Sequence, residues 1–365
     1  MRGAAFQIGM VLPSLCVKRM ESTNPFSSLR RVVFCTFLSW VSLALGAVPG
    51  WQSEVLETRY PSSADNTLQP ALYYWPKTEA AVPLLVALHT WSNDYLQAEP
   101  AYAEWCIKKG WAMIHPNFRG RNDRPEACGS ELAVGDILSA VEWAKAQTRI
   151  DADRVYLIGV SGGGYASLLM AGRAPQIWAG VSAWAAIYDL ADWHRERGAD
   201  RYARAIESVC GGAPGGGALM DEQYRRRSAS GWLGKAGGVP VDIQTGIHDG
   251  HRGSVPVSHS LKAFNVLAGS RETVEERLIR QMTSTGAVPA EERFSGTDGL
   301  YPQHPVLFRR VSGNVRVTLF EGGHEIVHAA GLAWLERQRR GRPAEWDLRG
   351  AVPVSLESGK TDSGK

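Results

Sequence analysis

The chain has 365 residues, of which 44% are hydrophobic and 21% are charged, which is typical of a soluble globular enzyme. Its 40 Lys and Arg residues against 37 Asp and Glu residues leave a net charge of +3 at pH 7, and the basic residues form no long run. This charge balance excludes the strongly basic surface of a nucleic-acid-binding protein, so no nucleic-acid partner is expected.

The N-terminal segment has the pattern of a targeting signal. Arg30 and Arg31 precede an apolar run over residues 32–45, and small residues follow at positions 46 and 47. A basic flank, an apolar core and a small-residue cleavage site are the three parts of a secretory signal peptide. We therefore expect residues 1–47 to be an N-terminal extension and signal peptide, with Met20 as a candidate true start and a secreted or periplasmic product. The apolar core is short for a membrane span, so an uncleaved anchor is the less favoured alternative.

From residue 70 onwards, strand-like and helix-like patterns alternate. This alternation predicts the α/β class, with a mostly parallel sheet flanked by helices on both faces. The predicted strands cover residues 72–75, 84–88, 111–115, 155–158, 180–186, 239–245 and 315–320, and the predicted helices cover residues 100–109, 131–147, 257–268 and 329–340. Residues 48–66 are polar and irregular, and we expect residues 346–365 to be a disordered tail.

Two stretches interrupt this alternation, over residues 192–238 and 271–314. Insertions of this kind in an α/β sheet usually cover the active site. We therefore expect one catalytic domain over residues 48–345 that carries lid-like insertions.

The segment over residues 155–170 carries the strongest chemical signal. An apolar strand ends in Gly159-Val-Ser161-Gly-Gly163 and passes directly into a helical pattern of small residues. This strand–turn–helix context distinguishes a nucleophile elbow from a chance G-x-S-x-G match. The turn would hold the hydroxyl of Ser161 above the sheet edge, where side chains at positions 159 and 163 would collide with backbone. Ser161 is therefore the predicted nucleophile, and a plain turn is the alternative.

An activated serine needs a histidine base and a carboxylate that orients it, and this class of fold supplies them in the chain order serine, acid, histidine. Asp249 and His324 each lie in a glycine-rich loop directly after an apolar strand, and their order is correct. We predict Asp249 as the orienting acid and His324 as the base. Asp192 is the second choice for the acid, ahead of Asp189, whereas Asp298 has the sequence context of a turn.

An oxyanion hole needs two backbone N–H donors near the nucleophile. The first is predicted to be Gly162, directly after Ser161, where the following helix begins. The second should come from the loop after the strand at 84–88, where we predict Trp91, with Thr90 as the alternative.

Two histidine patterns raise the question of a metal. His324-Glu325-Ile-Val-His328 matches the H-E-x-x-H pattern of zinc metalloproteases, in which a helix presents both histidines. Two glycines precede His324 and fit a loop rather than a helix interior, so a zinc metalloprotease is only a remote alternative. The histidines at 248 and 251 lack further clustered ligands. We therefore predict no metal and no cofactor.

Three cysteines lie beyond the predicted signal peptide, at positions 106, 128 and 210. In an oxidising compartment, Cys128 and Cys210 are candidates for a disulfide because both lie in loop-like sequence. Cys106 lies in a helical pattern and is expected to be a buried thiol.

Taken together, these motifs resemble the catalytic domain of the prolyl oligopeptidase family, over about residues 70–340. The resemblance rests on Asn117-Phe-Arg-Gly120, Asp153-Arg-Val with the elbow after it, Arg227-Ser228, Val255-Pro256 with His259-Ser260, and Gly322-Gly-His-Glu325. It implies an α/β-hydrolase fold and a serine hydrolase that cleaves a peptide or ester bond. It also implies Ser161 as nucleophile, Asp249 as acid and His324 as base.

Three features depart from the family's pattern. The segment before the first strand is too short for the N-terminal β-propeller of the family's peptidases, His-Thr-Trp-Ser replaces the usual glycine-rich oxyanion loop, and the spacing from Asp249 to His324 is long. These departures leave a carbohydrate esterase that acts on acylated sugars as the alternative. Tryptophans near the elbow and the first insertion would suit a sugar surface, although packing in the core or lid also explains them. They are Trp178, Trp184, Trp193 and Trp232.

Overall fold

The computed structural model describes residues 48–348 and Leu356. The predicted signal peptide over residues 1–47 lies outside these residues, as does most of the predicted tail. Within the described part, no helix is long and apolar enough to cross a membrane. Trp346, which the prediction assigned to the tail, stacks on Trp334 with ring centroids 5.3 Å apart. Ordered packing therefore continues past residue 345.

Nine strands in the described residues form one sheet. In chain order they are β1 (Leu56–Pro61), β2 (Leu68–Tyr74), β3 (Val82–Leu88), β4 (Ala112–Pro116), β5 (Ile150–Val160), β6 (Gly180–Trp184), β7 (Val241–Gly246), β8 (Val306–Ser312) and β9 (Val315–Phe320). The spatial order is β1-β2-β4-β3-β5-β6-β7-β9-β8. The six strands from β4 to β9 in that order are parallel, whereas β2 and β8 pair antiparallel to their neighbours. The predicted mostly parallel α/β sheet is confirmed.

The helices begin and end where sequence signals favour it. They are α1 (Pro100–Lys109), α2 (Glu131–Gln147), α3 (Gly162–Arg173), α4 (Leu190–Arg197), α5 (Arg201–Cys210), α6 (Ala218–Arg227), α7 (Val257–Ala268), α8 (Glu276–Thr285) and α9 (His328–Arg337). For example, the side chain of Ser130 accepts a hydrogen bond from the N–H of Ala133 and so caps α2. Gly110 ends α1 in a left-handed conformation with φ of 65°.

Both faces of the sheet are buried against helices. Leu84, Val86 and Leu88 of β3 belong to a core shared with α2, α3 and α7, whereas Leu85 and Ala87 belong to a second core shared with α1 and α9. Because side chains alternate between the two faces, a central strand that is covered on both sides must be apolar throughout. This explains the continuous apolar run of β3.

Sequence patterns missed the two edge strands and the helices inside the insertions. β1 lies at one edge of the sheet and pairs only with β2, so most of its side chains are polar and partly exposed. The first insertion contains α4, α5 and α6, and the second contains α8 and β8. An edge strand needs only part of its surface to be apolar, which hides it from a search for apolar runs.

The predicted Cys128–Cys210 disulfide is not formed in this structure. Cys106, Cys128 and Cys210 are all free and buried thiols. Burial raises the pKa of Cys128 to about 12, and burial likewise raises the pKa of Cys210 to about 12. Such thiols carry little thiolate and are therefore poor nucleophiles at neutral pH.

Candidate active site

The backbone at Ser161 forms a sharp turn between β5 and α3. Ser161 has φ of 59° and ψ of −120°, a conformation that costs a non-glycine residue on the order of 1–3 kcal/mol. The N–H of Ser161 donates to the carbonyl of Trp184 at 2.9 Å. Across the turn, a Cβ added at Gly159 would lie 2.4 Å from the carbonyl carbon of Gly163, so the close approach requires glycine. This is the strand–turn–helix arrangement that the sequence indicated.

The structure brings Asp249 and His324 into contact. Nδ1 of His324 lies 2.8 Å from Oδ2 of Asp249. Oδ1 of Asp249 accepts hydrogen bonds from the N–H groups of Gly250 at 2.9 Å and Val255 at 3.1 Å. Asp249 is 1% exposed, and these bonds stabilise its carboxylate in a buried place. The contact with Nδ1 fixes the imidazole so that Nε2 is free to accept a proton.

Ser161, Asp249 and His324 follow β5, β7 and β9, three parallel strands of one sheet. The carboxyl ends of parallel strands lie along the same edge, where open α/β sheets bind their ligands. In this structure Nε2 of His324 lies 3.5 Å from the hydroxyl of Ser254, whereas the hydroxyl of Ser161 forms no hydrogen bond with any described residue. In enzymes the hydrogen bond between a nucleophile and its base often tightens only when substrate binds.

Two N–H groups lie close together beside the nucleophile. A Cβ added at Gly162 would lie 2.4 Å from the backbone nitrogen of Trp91, so the two residues are in direct backbone contact. The N–H of Thr90, the alternative donor, is already bonded to Oε1 of Gln97 at 2.8 Å. Gly162 is the first residue of α3, where N–H groups have no helical acceptor. The backbones of Gly162 and Trp91 are therefore adjacent beside Ser161, and their role as the two oxyanion donors stays a prediction.

The other carboxylates that the sequence offered are bound elsewhere. Asp189 caps α4 by accepting from the N–H groups of Ala191 and Asp192, both at 2.9 Å. Asp192 pairs with Lys262 at 2.9 Å. Asp298 pairs with Arg309 at 2.8 Å. Each has its own cationic or backbone partner, which leaves Asp249 as the carboxylate that binds His324.

The H-E-x-x-H pattern does not form the helix that a zinc protease requires. α9 begins at His328, so His324 lies in the loop before it. His324 contacts Asp249, whereas Nε2 of His328 lies 3.2 Å from Oε2 of Glu99. Among residues 48–348, no group of three or more His, Cys, Asp or Glu side chains could hold a metal ion. His248 instead contacts Glu321 at 2.7 Å, and His251 contacts the carbonyl of Thr283.

The first insertion lies against the loop that carries the acid. Nε1 of Trp193 in α4 donates to the carbonyl of Ser254 at 2.7 Å, and Arg197 donates to the same carbonyl at 3.3 Å. The ring of Trp193 packs edge-on against Trp91, with centroids 4.8 Å apart. Glu196 adds a contact to His259 of α7 at 2.7 Å. α4 is therefore fixed over the site by several hydrogen bonds.

The tryptophans considered for a sugar surface are mostly in the interior. Trp178 and Trp193 are 1% exposed and Trp184 is 0% exposed. Trp232 is partly exposed, but the guanidinium of Arg173 covers its ring at 4.2 Å. These side chains pack the core and the first insertion, so they offer no aromatic surface to a sugar.

Sequence reasoning missed three residues of the site's surroundings, namely Gln97, Glu99 and Ser254. Gln97 binds Thr90, Glu99 binds His328, and Ser254 contacts His324. Each is a single polar residue in a loop, where neither periodicity nor motif spacing marks it. Only the proximity of Ser254 to the predicted acid was available as a signal.

Comparison with known proteins gives consistent results. The sequence model of the prolyl oligopeptidase family matches residues 99–285, which include Ser161 and Asp249. A dipeptidyl aminopeptidase BIII from Pseudoxanthomonas mexicana is 33% identical over 139 residues, which cover 33% of this chain and 19% of that protein.

Among solved structures, an acylaminoacyl peptidase from Pyrococcus horikoshii superposes with a TM-score of 0.55 at 15% identity over 81% of this chain and 43% of its own. A puromycin-hydrolyzing peptidase from Mycobacterium tuberculosis superposes with a TM-score of 0.52 at 14% identity, over 78% of this chain and 40% of its own. At these identities the likeness shows the fold alone. The chain spans less than half the length of each of these relatives.

Proposed function

This chain belongs to the prolyl oligopeptidase family of serine hydrolases, and on that premise we propose that it is a serine peptidase that acts through an acyl-enzyme on Ser161. The observation that carries the proposal is the 2.8 Å contact between His324 and Asp249 at the sheet edge where Ser161 lies. A serine hydroxyl on a sharp turn, a buried carboxylate and an imidazole bound to that carboxylate are the parts that acyl transfer requires.

The proposed reaction proceeds in two steps. Oγ of Ser161 attacks the substrate carbonyl carbon while Nε2 of His324 takes the hydroxyl proton, and Asp249 stabilises the imidazolium through Nδ1. The N–H groups of Gly162 and Trp91 bind the negative oxygen of the tetrahedral intermediate. The intermediate then expels the leaving amine, which receives the proton from Nε2. Water attacks the acyl-enzyme with His324 as base again, which releases the acid and restores Ser161.

The proposed reaction requires His324 to exchange its partner. Its Nε2 contacts Ser254 at 3.5 Å in the structure and must turn to the hydroxyl of Ser161 when substrate binds. Ser254 can donate to the neutral imidazole, so it holds the ring until the nucleophile becomes its partner.

Peptides are the proposed substrates because family membership and the peptidase relatives favour them. The acyl-sugar alternative has lost its main structural argument, since the tryptophans that suggested it are buried or covered. The chain spans only part of the length of its relatives. Its preference for peptide length and for the peptide terminus therefore depends on its own residues and does not carry over from those relatives.

A fluorophosphonate probe tests the nucleophile. We expect the wild-type protein to be labelled and Ser161→Ala to be unlabelled, with Ser167→Ala as the control because Ser167 lies in the same helix and its hydroxyl donates to the carbonyl of Gly163. Equal labelling of wild type and Ser161→Ala would refute the assignment. Peptide 4-nitroanilides with free and blocked N-termini, compared with acetylated sugars, then test the bond type. Turnover of the sugars alone would refute the peptidase proposal.

We also propose that the protein is exported, on the strength of the basic flank and apolar run before residue 48. Expression of the full chain in a Gram-negative host tests this proposal. We expect the mature protein in the periplasmic or secreted fraction, with an N-terminus close to residue 47. An intact N-terminus in the cytosolic fraction would refute it.

A further inference from the structure

The loop that carries the Trp91 N–H is fixed by one glutamine side chain. The N–H and the hydroxyl of Thr90 both donate to Oε1 of Gln97, at 2.8 Å and 3.0 Å. The hydroxyl of Thr90 in turn accepts from Nδ2 of Asn93 at 2.9 Å. Thr90 is thereby held at both its N–H and its side chain, whereas the next N–H, that of Trp91, donates no hydrogen bond within the described residues.

A buried carboxylate fixes the orientation of Gln97. Nε2 of Gln97 donates to Oε1 of Glu99 at 2.9 Å, and Glu99 is 5% exposed. The reversed amide would direct its NH₂ at the N–H of Thr90 and its oxygen at the carboxylate of Glu99, and both of these contacts would be repulsive. The side chain of Gln97 therefore has one favourable orientation.

His328 completes the chain of contacts. The other oxygen of Glu99, Oε2, lies 3.2 Å from Nε2 of His328, the first residue of α9. His328 follows His324 by one helical turn of sequence. A continuous series of hydrogen bonds thus joins the loop of the proposed oxyanion donor to the segment that carries the proposed base. The second histidine of the H-E-x-x-H pattern thus has Glu99 as its partner in this structure.

We propose that Gln97 and Glu99, supported by His328, are positioning residues that direct the N–H of Trp91 at the developing oxyanion. The proposal rests on the proposed function, because it assigns these residues a role in the same reaction. A donor that is fixed in advance stabilises the oxyanion without reorganisation during the reaction, and the loss of one such donor lowers kcat on the order of 100- to 1,000-fold. A donor that is present but misdirected should lose part of that effect.

Gln97→Leu removes both the amide oxygen that binds Thr90 and the amide nitrogen that binds Glu99, at similar side-chain volume. With p-nitrophenyl butyrate as substrate, we expect kcat to fall about 10- to 100-fold while KM changes less than about 2-fold, since ground-state binding needs no oxyanion contact. The inhibition constant of 1,1,1-trifluoropentan-2-one, which forms a tetrahedral adduct with the same acyl chain, should rise by the same factor as kcat/KM falls.

Glu99→Gln is the conservative variant, because an amide can accept from Gln97 and donate to the other tautomer of His328. We expect it to stay within about 3-fold of the wild-type kcat, whereas Glu99→Leu should behave like Gln97→Leu. Tyr102→Phe is the matched control. Its buried hydroxyl has no hydrogen-bond partner in the described residues, and its ring packs against His328 with centroids 5.0 Å apart. It should retain the wild-type kcat.

Three results would overturn the proposal: a folded Gln97→Leu with unchanged kcat, a loss carried by KM alone, or an unchanged inhibition constant of the ketone. Should Gln97→Leu fail to fold, Thr90→Val removes the hydroxyl bonded to Gln97 and must still lower kcat about 3- to 10-fold. Equal fluorophosphonate labelling of wild type and Ser161→Ala would instead refute the proposed function itself. Labelling confined to Ser161, with wild-type rates in Gln97→Leu, would refute only the positioning role.

Discussion

Gly162→Ala should remove the oxyanion hole without touching the three side chains of the proposed triad. The added Cβ would lie 2.4 Å from the nitrogen of Trp91 and 2.5 Å from its Cα, whereas ordinary contacts of this kind begin at 3.4 Å. The backbone of Trp91 would have to retreat by roughly 1 Å, which is enough to break a hydrogen bond of about 3 Å to the substrate oxygen.

The expected magnitude follows from the loss of one oxyanion donor. Such a loss costs about 2.7–4 kcal/mol of transition-state stabilisation, or roughly 100- to 1,000-fold in kcat. The assay is steady-state hydrolysis of p-nitrophenyl butyrate, with circular dichroism and thermal unfolding to establish that the variant is folded. Gly234→Ala is the control, because its Cβ would meet no atom closer than 4.0 Å. A folded Gly162→Ala with kcat within about 3-fold of wild type would refute the placement of the oxyanion hole.

Three further predictions concern buried ionisable side chains. Asp249→Asn preserves the shape of the acid but presents an amide N–H to Nδ1 of His324, which stabilises the tautomer with its proton on Nε2. Because Nε2 can then no longer accept a proton, kcat should fall about 10,000-fold, and a loss below about 10-fold would contradict the assignment. Arg316→Met removes the guanidinium that binds the 0%-exposed Asp242 at 2.6 Å. Urea unfolding should show that the free energy of unfolding falls by about 3–5 kcal/mol, and a second substitution, Asp242→Leu, should restore most of this loss. Burial lowers the pKa of His115 to about 3, so the folded state keeps it neutral while the unfolded state binds a proton below about pH 6.5. Stability should therefore fall as the pH drops from about 6.5 towards 3, by up to about 1.4 kcal/mol per unit from this residue, and His115→Asn should show a shallower slope in urea unfolding between pH 4.5 and 7; equal slopes would contradict this reading.

The sequence predicted the inner strands of the sheet and several of the helices that pack on it. α1, α2, α7 and β9 begin and end at the predicted residues, because a capped helix or a buried strand carries its signal in its own side chains. β1 and β8 could not be found in this way, since edge strands are paired and covered on fewer sides. Trp346 shows the same limit, because its stacking partner Trp334 belongs to a different element.

The residues of the candidate site likewise include some that the sequence predicted and some that it did not. The sequence placed Ser161, Asp249 and His324 in loops after strands, and the structure brings the last two into hydrogen-bond contact. The roles of all three remain predictions for the experiments above. Gln97 and Glu99 had no recognisable pattern, because their importance depends on contacts with Thr90 and His328 that only folding creates. The predicted disulfide rested on loop-like sequence at both cysteines, but Cys210 is the last residue of α5 and both thiols are free and buried.

The attachment of α4 has a consequence for attempts to redesign the substrate preference of this protein. Trp193 and Arg197 share the carbonyl of Ser254 as their acceptor, and that residue lies between Asp249 and Val255 on the loop that holds the acid. A replacement helix without donors at these two positions would leave that carbonyl without its partners from α4 and would loosen the loop beneath it. Chimeras of this family should therefore transplant residues 190–197 together with residues 249–256 as one unit, so that the carbonyl of Ser254 keeps both of its donors.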